Sequence, residues 1–199
     1  MDSILTLIGS IVIGSIFLLN VFSFYGGITS HSQEKYLELR TQETAVSMME
    51  IIEHDFRRMG TGVETPSQSI TATTDTTDIT FIGNIDDDGA TEIVRYYKSN
   101  KSAAVSTENP DDVILYRVVD NTPDVFTPAG VTGFSFRMYD NANTITNNRN
   151  NASSIEVRLE MQSMISYSKD DLEKKYAEVI LKKFITPEAL IRVSGLSYP

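Results

Sequence analysis

The chain has 199 residues, enough for one ordinary domain, and its 41% hydrophobic and 22% charged residues are typical of a globular fold. It contains no cysteine, which excludes a disulfide framework, a thiolate nucleophile and every cysteine-ligated metal centre. Its 17 basic and 27 acidic residues give a formal net charge of −10, and a surface of that sign repels phosphate backbones. We therefore expect no nucleic-acid partner.

The first predicted element is an apolar helix over residues 4–25, which carry no formal charge. At about 1.5 Å per residue this helix spans about 33 Å, the thickness of a bilayer's hydrocarbon core. A cleaved signal peptide has basic residues before its apolar stretch, whereas the first basic residue here is Lys35, so we expect the helix to be retained. It is either a plain membrane anchor or a helix that later packs among copies of itself, and Gly9 and Gly14 permit close approach.

An amphipathic helix follows over residues 33–59. Its predicted apolar face recurs at helical spacing and consists of Ala45, Met49, Ile52, Phe56 and Met59. Gly26 and Gly27 have low helix propensity and are expected to loosen or kink the junction between the two helical segments. Gly60 and Gly62 supply a stop, so the two segments together predict a rod of about 80 Å.

The rest of the chain predicts a loop and then strands. Residues 65–78 are rich in Thr and Ser and are expected to form a surface loop. The predicted strands cover residues 79–83, 92–98, 113–119, 131–139, 154–164 and 177–185. One face of the resulting antiparallel sheet is apolar and must be buried against another element. We expect the apolar face of the amphipathic helix to pack on it. The prediction is an α+β fold with a helical stalk at 1–60, a loop at 61–78 and a sheet head at 79–199.

No segment predicts catalysis. Asn84, Asp86 and Asp88 resemble the start of a calcium loop, but the twelfth position is Arg95 instead of the bidentate Glu that an EF-hand requires. A tight hairpin turn is the preferred interpretation, and an irregular calcium site is the alternative. We expect no other cofactor.

The charged residues of the amphipathic helix are expected at the surface. His31 and His54 are too far apart along the helix to share a metal, and no third ligand is indicated. Glu53 and Asp55 flank His54, and adjacent helix residues do not face one another, so a solvated charged face is expected. Asn100 and Asn151 match the N-glycosylation pattern.

This order of parts resembles the type IV pilins and the pseudopilins of type II secretion. Four segments look like the larger minor pilin and pseudopilin subgroup: 51–60 (IIEHDFRRMG), 79–89 (ITFIGNIDDDG), 113–117 (VILYR) and 133–140 (GFSFRMYD). The family's mature chains usually carry a glutamate at position 5 that pairs with a neighbour's N-terminal amine, whereas this sequence has Leu5. Either Met1 is a processed N-terminus or the subunit is made without a leader, and Asp2 is the candidate partner for the amine.

The resemblance implies a non-enzymatic structural subunit. It would reside in the cytoplasmic membrane and then enter an extracellular filament or periplasmic pseudopilus, with copies of itself or other pilin-like subunits as partners. The residues expected to pack the filament core are Ile4, Leu7, Ile8, Gly9, Ile11, Val12, Gly14, Ile16 and Leu19, while Gly26 and Gly27 would allow local melting. The alternative is a single-pass anchored binding module that does not polymerise.

Overall fold

Helix α1, Asp2–Arg57, runs without interruption through both predicted helical segments. The computed structural model describes residues 2–104, 107–126, 130–168 and 174–193, with the side chains of 2, 5, 102, 124–126 and 191–193 outside that description. The 56 residues of α1 give a rod of about 84 Å at about 1.5 Å per residue. Gly60 and Gly62 follow with φ angles of 79° and 78°, the left-handed conformation in which glycine ends a helix. The predicted stop is confirmed.

Antiparallel strands fill most of the remaining chain. They are β1 (Ile70–Asp75), β2 (Asp78–Gly83), β3 (Glu92–Lys98), β4 (Leu115–Val119), β5 (Thr122–Phe126), β6 (Val131–Tyr139), β7 (Ile145–Thr146), β8 (Ser154–Gln162) and β9 (Glu178–Ile185), followed by helix α2 (Glu188–Val193). The first five strands form one sheet in chain order, and the other four form a second sheet in the order β7-β6-β8-β9. Short 3-10 turns lie at Pro66–Gln68, Lys101–Ala103 and Arg149–Asn151.

The two sheets share one hydrophobic core with the C-terminal part of α1. Helix α1 packs mainly on β9 and β8 of the second sheet, and Phe56 reaches across to Phe81 and Tyr96 of the first, with ring centroids 5.1 and 5.7 Å apart. We call the two sheets, residues 37–57 of α1 and the turn that follows the helix the head. The α+β class, with a long N-terminal helix packed on antiparallel sheet structure, is confirmed.

The predicted alternation of the clearest strand is also confirmed. Along β8 every second side chain, Ile155, Val157, Leu159 and Met161, is buried in the core, while the residues between them lie at least partly exposed. The helix face predicted from spacing is equally buried: Ala45, Met49, Ile52, Phe56 and Met59 are at most 5% exposed. The apolar face of the helix and the apolar face of β8, each identified from its spacing, therefore both pack in the same core.

Three parts of the prediction are wrong. The segment expected to be a loop at 61–78 contains a 3-10 turn and strand β1, because its β-branched threonines fit an exposed edge strand as well as they fit a loop. The strands form two sheets instead of one, since alternation gives the buried face of a strand but not its pairing partner. Strands β5 and β7 and helix α2 were not predicted, because they are short and carry no strong period.

Candidate functional site: the apolar segment and its attachment to the head

The N-terminal part of α1 lies outside the hydrophobic core. Every described side chain of residues 4–25, which we call the apolar segment, is exposed, and Ile13, Phe24 and Tyr25 are 70–72% exposed. Helix α1 is long and apolar enough to cross a membrane. An exposed apolar surface of this size requires lipid or protein around it.

The polar side chains within the apolar segment bond to their own helix. The Ser10 and Ser15 hydroxyls donate to the carbonyls of Leu7 and Ile11, both at 2.8 Å, and the Asn20 amide donates to the carbonyl of Ile16 at 2.9 Å. A polar group without a partner is costly in hydrocarbon. These local hydrogen bonds let the segment reside among lipid tails or apolar side chains without an external partner for those groups.

The residues predicted to pack the filament core all lie in this exposed segment. Gly9 and Gly14 have nothing within 4 Å of the position where a Cβ would stand. The remaining members are between 51% and 69% exposed: Ile4, Leu7, Ile8, Ile11, Val12, Ile16 and Leu19. Their role in packing stays a prediction. The side chain of Asp2 and all of Met1 lie outside the described residues.

The helix continues through Gly26 and Gly27, and a Cβ at either glycine would also meet nothing within 4 Å. The Thr29 and Ser30 hydroxyls donate to the carbonyls of Tyr25 and Gly26 at 2.9 and 3.0 Å. Local melting at this pair stays a prediction. In the described conformation, one helix extends out of the head with its first part and packs within the head with its last part.

A buried charged cluster attaches α1 to the first sheet. Asp55 is 1% exposed, and its carboxylate accepts hydrogen bonds from the Tyr96 hydroxyl at 2.5 Å and from Arg117 Nε and Nη2 at 2.6 and 3.1 Å. The carboxylate beside Arg117 holds the pKa of that guanidinium above its ordinary value. Burial, aided by the negative charge of Asp55, raises the pKa of Tyr96. The cluster therefore joins the helix to β3 and β4 through charge-assisted hydrogen bonds.

The expectation that Asp55 belongs to a solvated charged face is wrong. Met48, Ile52, Asp55 and Met59 follow one another at intervals of 4, 3 and 4, so Asp55 lies on the buried stripe of the helix. The sequence does contain a signal for the burial of Asp55, because this charged residue stands at a position where the helical spacing places apolar residues. Nothing in the sequence pattern indicated that Arg117 and Tyr96 would be its partners.

A second ion-pair cluster joins α1 to the second sheet at the rim of the core. The Glu53 carboxylate lies 2.9 Å from Lys183 Nζ on β9 and accepts hydrogen bonds from Arg57 Nε and Nη2 at 2.9 and 2.7 Å. The hydrogen bond from Lys183 is the main cause that lowers the pKa of Glu53. The two clusters thus hold neighbouring residues of one helix to different sheets.

The two histidines lie at the surface, as predicted. His31 and His54 are both exposed, and the nearest carboxylate oxygen of Glu34 or Asp55 lies 3.5 Å from the Nδ1 atom of each. They stand more than six helical turns apart on the same helix. They therefore do not share a site.

The connection between β2 and β3 holds a cluster of carboxylates. The hairpin is confirmed, but residues 84–91 form a longer connection than the tight turn expected. Carboxylate oxygens of Asp86, Asp88 and Glu92 lie within 4.8 Å of one another. Asn84 is buried, and its Oδ1 accepts the backbone N–H of Asp87. The structure thus brings Glu92, which the sequence did not indicate, to the two aspartates.

Each of those carboxylates already has a partner within the loop. Asp86 Oδ1 and Asp88 Oδ1 accept the N–H groups two residues further on, and Glu92 Oε2 accepts the N–H of Ile85 at 2.8 Å. Arg58 of the turn after α1 pairs with Asp87 at 2.5 and 2.7 Å. These contacts are sufficient to explain the shape of the loop, and calcium binding there stays untested.

No protein family, curated protein or solved structure matches this chain.

Proposed function

We propose that this chain is a structural subunit of a pilus-like filament or pseudopilus, and that it polymerises through its apolar segment. The observation that carries the proposal is the division of one continuous helix. The buried side chains between Ala45 and Met59 belong to the core of the head, while the described side chains of residues 4–25 are exposed along their length. The same surface can face lipid before assembly and neighbouring helices after it.

The rigidity of the attachment supports this function. In a polymer held by its helices, each head must keep a fixed position relative to its helix, so that every subunit presents the same surfaces. The Asp55 cluster and the Glu53 cluster fix α1 to both sheets close to its C-terminal end. A plain anchor needs no such fixed geometry, because a flexible link to the membrane serves equally well.

The charge of the head fits an outer position in the assembly. Residues 61–125 contain 12 acidic and 4 basic residues, and the net charge of the chain is −10. Apolar helices at the centre and acidic heads outside give a polymer with a solvated surface. The subunit is then located in the cytoplasmic membrane before assembly and in the filament afterwards.

Replacement of residues 4–25 by an unrelated apolar helix of equal length tests the proposal. The replaced chain should still enter the membrane, but it should be absent from sheared filaments. If the chimaera supports the chain's biological activity as well as the wild type does, the chain acts as an anchored binding module and the filament proposal is refuted. Immunoblots of membrane and sheared fractions measure both outcomes.

Point variants refine this test. Gly9→Leu and Gly14→Leu add side chains where the isolated subunit has nothing within 4 Å, so any loss of assembly comes from contacts with other molecules. Ile13→Leu is the matched control, because it conserves volume at an exposed apolar position of the same segment. We expect the glycine variants to remain in the membrane and the control to assemble normally.

A further inference from the structure

The outer face of the second sheet, which points away from the core, carries a group of basic side chains. The strand register places Ser135 of β6, Arg158 of β8 and Lys182 of β9 in one row across the sheet, and Arg137 lies two residues further along β6. A shallow cavity of about 190 Å³ opens here, and it is lined by Ser135, Arg137, Glu156, Arg158, Glu160 and Lys182. We call Arg137, Arg158 and Lys182 the basic face.

Two of the three cations have no acidic partner in the described part of the chain. Arg137 and Lys182 form no ion pair there, whereas Arg158 Nε lies 2.6 Å from Glu160 Oε1. Arg158 also stands directly opposite Lys182 across β8 and β9, and like charges in that arrangement repel. An anionic group placed between them would replace this repulsion with attraction.

The two acids of the cavity have other contacts. The Glu160 carboxylate lies over Gly133 of β6, where a Cβ would stand 2.8 Å from Oε2. Glu156 Oε2 accepts a hydrogen bond from the Tyr139 hydroxyl at 3.3 Å. Neither acid forms an ion pair with Lys182 in the described structure. The basic face is therefore open to an acidic partner from outside the subunit.

A second copy of this chain offers a matching acidic element. In the β2–β3 connection, Asp86, Asp87 and Asp88 are consecutive and exposed. Asp87 pairs with Arg58, whereas Asp86 and Asp88 form no ion pair among the described residues. Carboxylate oxygens of these two and of Glu92 lie within 4.8 Å of one another and repel. Contact with a cationic surface would relieve that repulsion.

The β2–β3 connection is held in shape by its own hydrogen bonds. Asn84 Oδ1 accepts the backbone N–H of Asp87, and Glu92 Oε2 accepts that of Ile85, both at 2.8 Å. A loop that is already ordered loses little conformational entropy when it binds. The connection can therefore meet a partner without refolding.

We propose that the basic face of one subunit binds the β2–β3 connection of a neighbouring copy, with Asp86 and Asp88 facing Arg137, Arg158 and Lys182. The inference rests on the proposed filament, because the contact joins heads whose apolar segments are already packed together. The two surfaces belong to different sheets of one head, so the contact is head-to-tail and can repeat along an open polymer instead of closing a dimer. Charge complementarity of this kind fixes the orientation of the partners.

An engineered disulfide can report the contact, because the chain contains no cysteine. A chain that carries both Asp88→Cys and Lys182→Cys should form a ladder of covalent oligomers in the sheared filament fraction after mild oxidation. Each substitution alone should give no ladder. The matched control combines Lys182→Cys with Asp111→Cys, which alters an exposed aspartate outside the β2–β3 connection and should also give no ladder.

Neutralising substitutions measure the coupling between the two surfaces. Arg137→Gln with Lys182→Gln, and separately Asp86→Asn with Asp88→Asn, should each lower the amount of chain in the sheared fraction about tenfold. Asparagine keeps the oxygen that accepts a backbone N–H at both positions, so the connection retains its shape. The four substitutions together should cost no more than either pair alone, because each surface has then lost its charged partner.

The matched control for these variants is Lys98→Gln with Lys101→Gln, which removes two positive charges of the head outside both surfaces. This control should assemble like the wild type. All of the neutralised residues of the two surfaces are exposed, so every variant should keep the thermal unfolding midpoint of the wild type.

The outcomes separate this inference from the filament proposal. If the chain is present in sheared filaments but the cysteine pair gives no ladder and the two neutralised pairs have additive effects, the head contact is refuted and the filament proposal stands. If the wild-type chain is absent from sheared filaments, the filament proposal fails and the head contact fails with it. Equal losses for the lysine control and the basic-face variant would mean that net charge, and not this contact, governs assembly.

Discussion

Replacement of Asp55 should lower the free energy of unfolding of the head, because it removes the acceptor that the charged cluster shares. Asp55→Ala leaves Arg117, whose side chain is 17% exposed, and the buried Tyr96 hydroxyl without their shared acceptor. Breaking a buried ion pair by removing one partner costs about 3–5 kcal/mol. For a chain of this size, 1 kcal/mol corresponds to about 2–4 °C, so the unfolding midpoint should fall by about 6–20 °C.

The assay is thermal and urea unfolding in non-ionic detergent, followed by the near-ultraviolet circular dichroism of the tyrosines. The matched control is Asp87→Asn, because Asp87 also pairs with an arginine but its side chain is 67% exposed, and asparagine tolerates the positive φ of 67° at this position. An exposed pair contributes at most about 1 kcal/mol. An Asp55→Ala variant that loses no more stability than the Asp87→Asn control would refute the assigned role of the cluster.

Three further predictions concern the core, the helix end and acid stability. Phe56→Ala should cost about 3–5 kcal/mol, because its ring fills the core between the sheets, whereas the exposed Ile51→Ala should stay within about 0.5 kcal/mol in urea unfolding. Gly83→Ala should destabilise the head in the same assay, since its Cβ would stand 2.3 Å from the Arg58 carbonyl oxygen; the same substitution at Gly27 meets nothing and should stabilise the helix by up to about 1 kcal/mol. The lowered pKa of Glu53 stabilises the fold above its ordinary value of 4.5, and this contribution is lost as pH falls through the folded pKa. Unfolding below pH 4.5 should therefore be less pH-dependent in Glu53→Gln than in the wild type, and equal slopes would contradict the Glu53–Lys183 contact.

The sequence predicted the elements with strong periods. Helical spacing located the buried face of α1, and alternation located β8, because each pattern follows directly from the geometry of one element. Strands β3 and β6 were also predicted with the bounds that the structure has. Strand β1 was missed because it is an exposed edge strand, whose threonines show no apolar alternation.

Long-range pairing accounts for what could not be predicted. The division into two sheets depends on contacts between distant segments, such as the hydrogen bond from the Phe136 N–H to the Thr76 carbonyl at 2.8 Å. The partners of Asp55 lie 41 and 62 residues away in sequence. Periodicity carries no information about such contacts.

Electron microscopy of filaments sheared from the source cells, combined with mass spectrometry of their subunits, tests the central claim most directly. The account predicts that this chain is found in the filaments with the apolar segment intact, and that the Gly9→Leu and Gly14→Leu variants are lost from them while remaining in the membrane. Filaments that lack the chain, together with a monomeric chain in detergent-solubilised membranes, would contradict polymerisation and favour an anchored binding module.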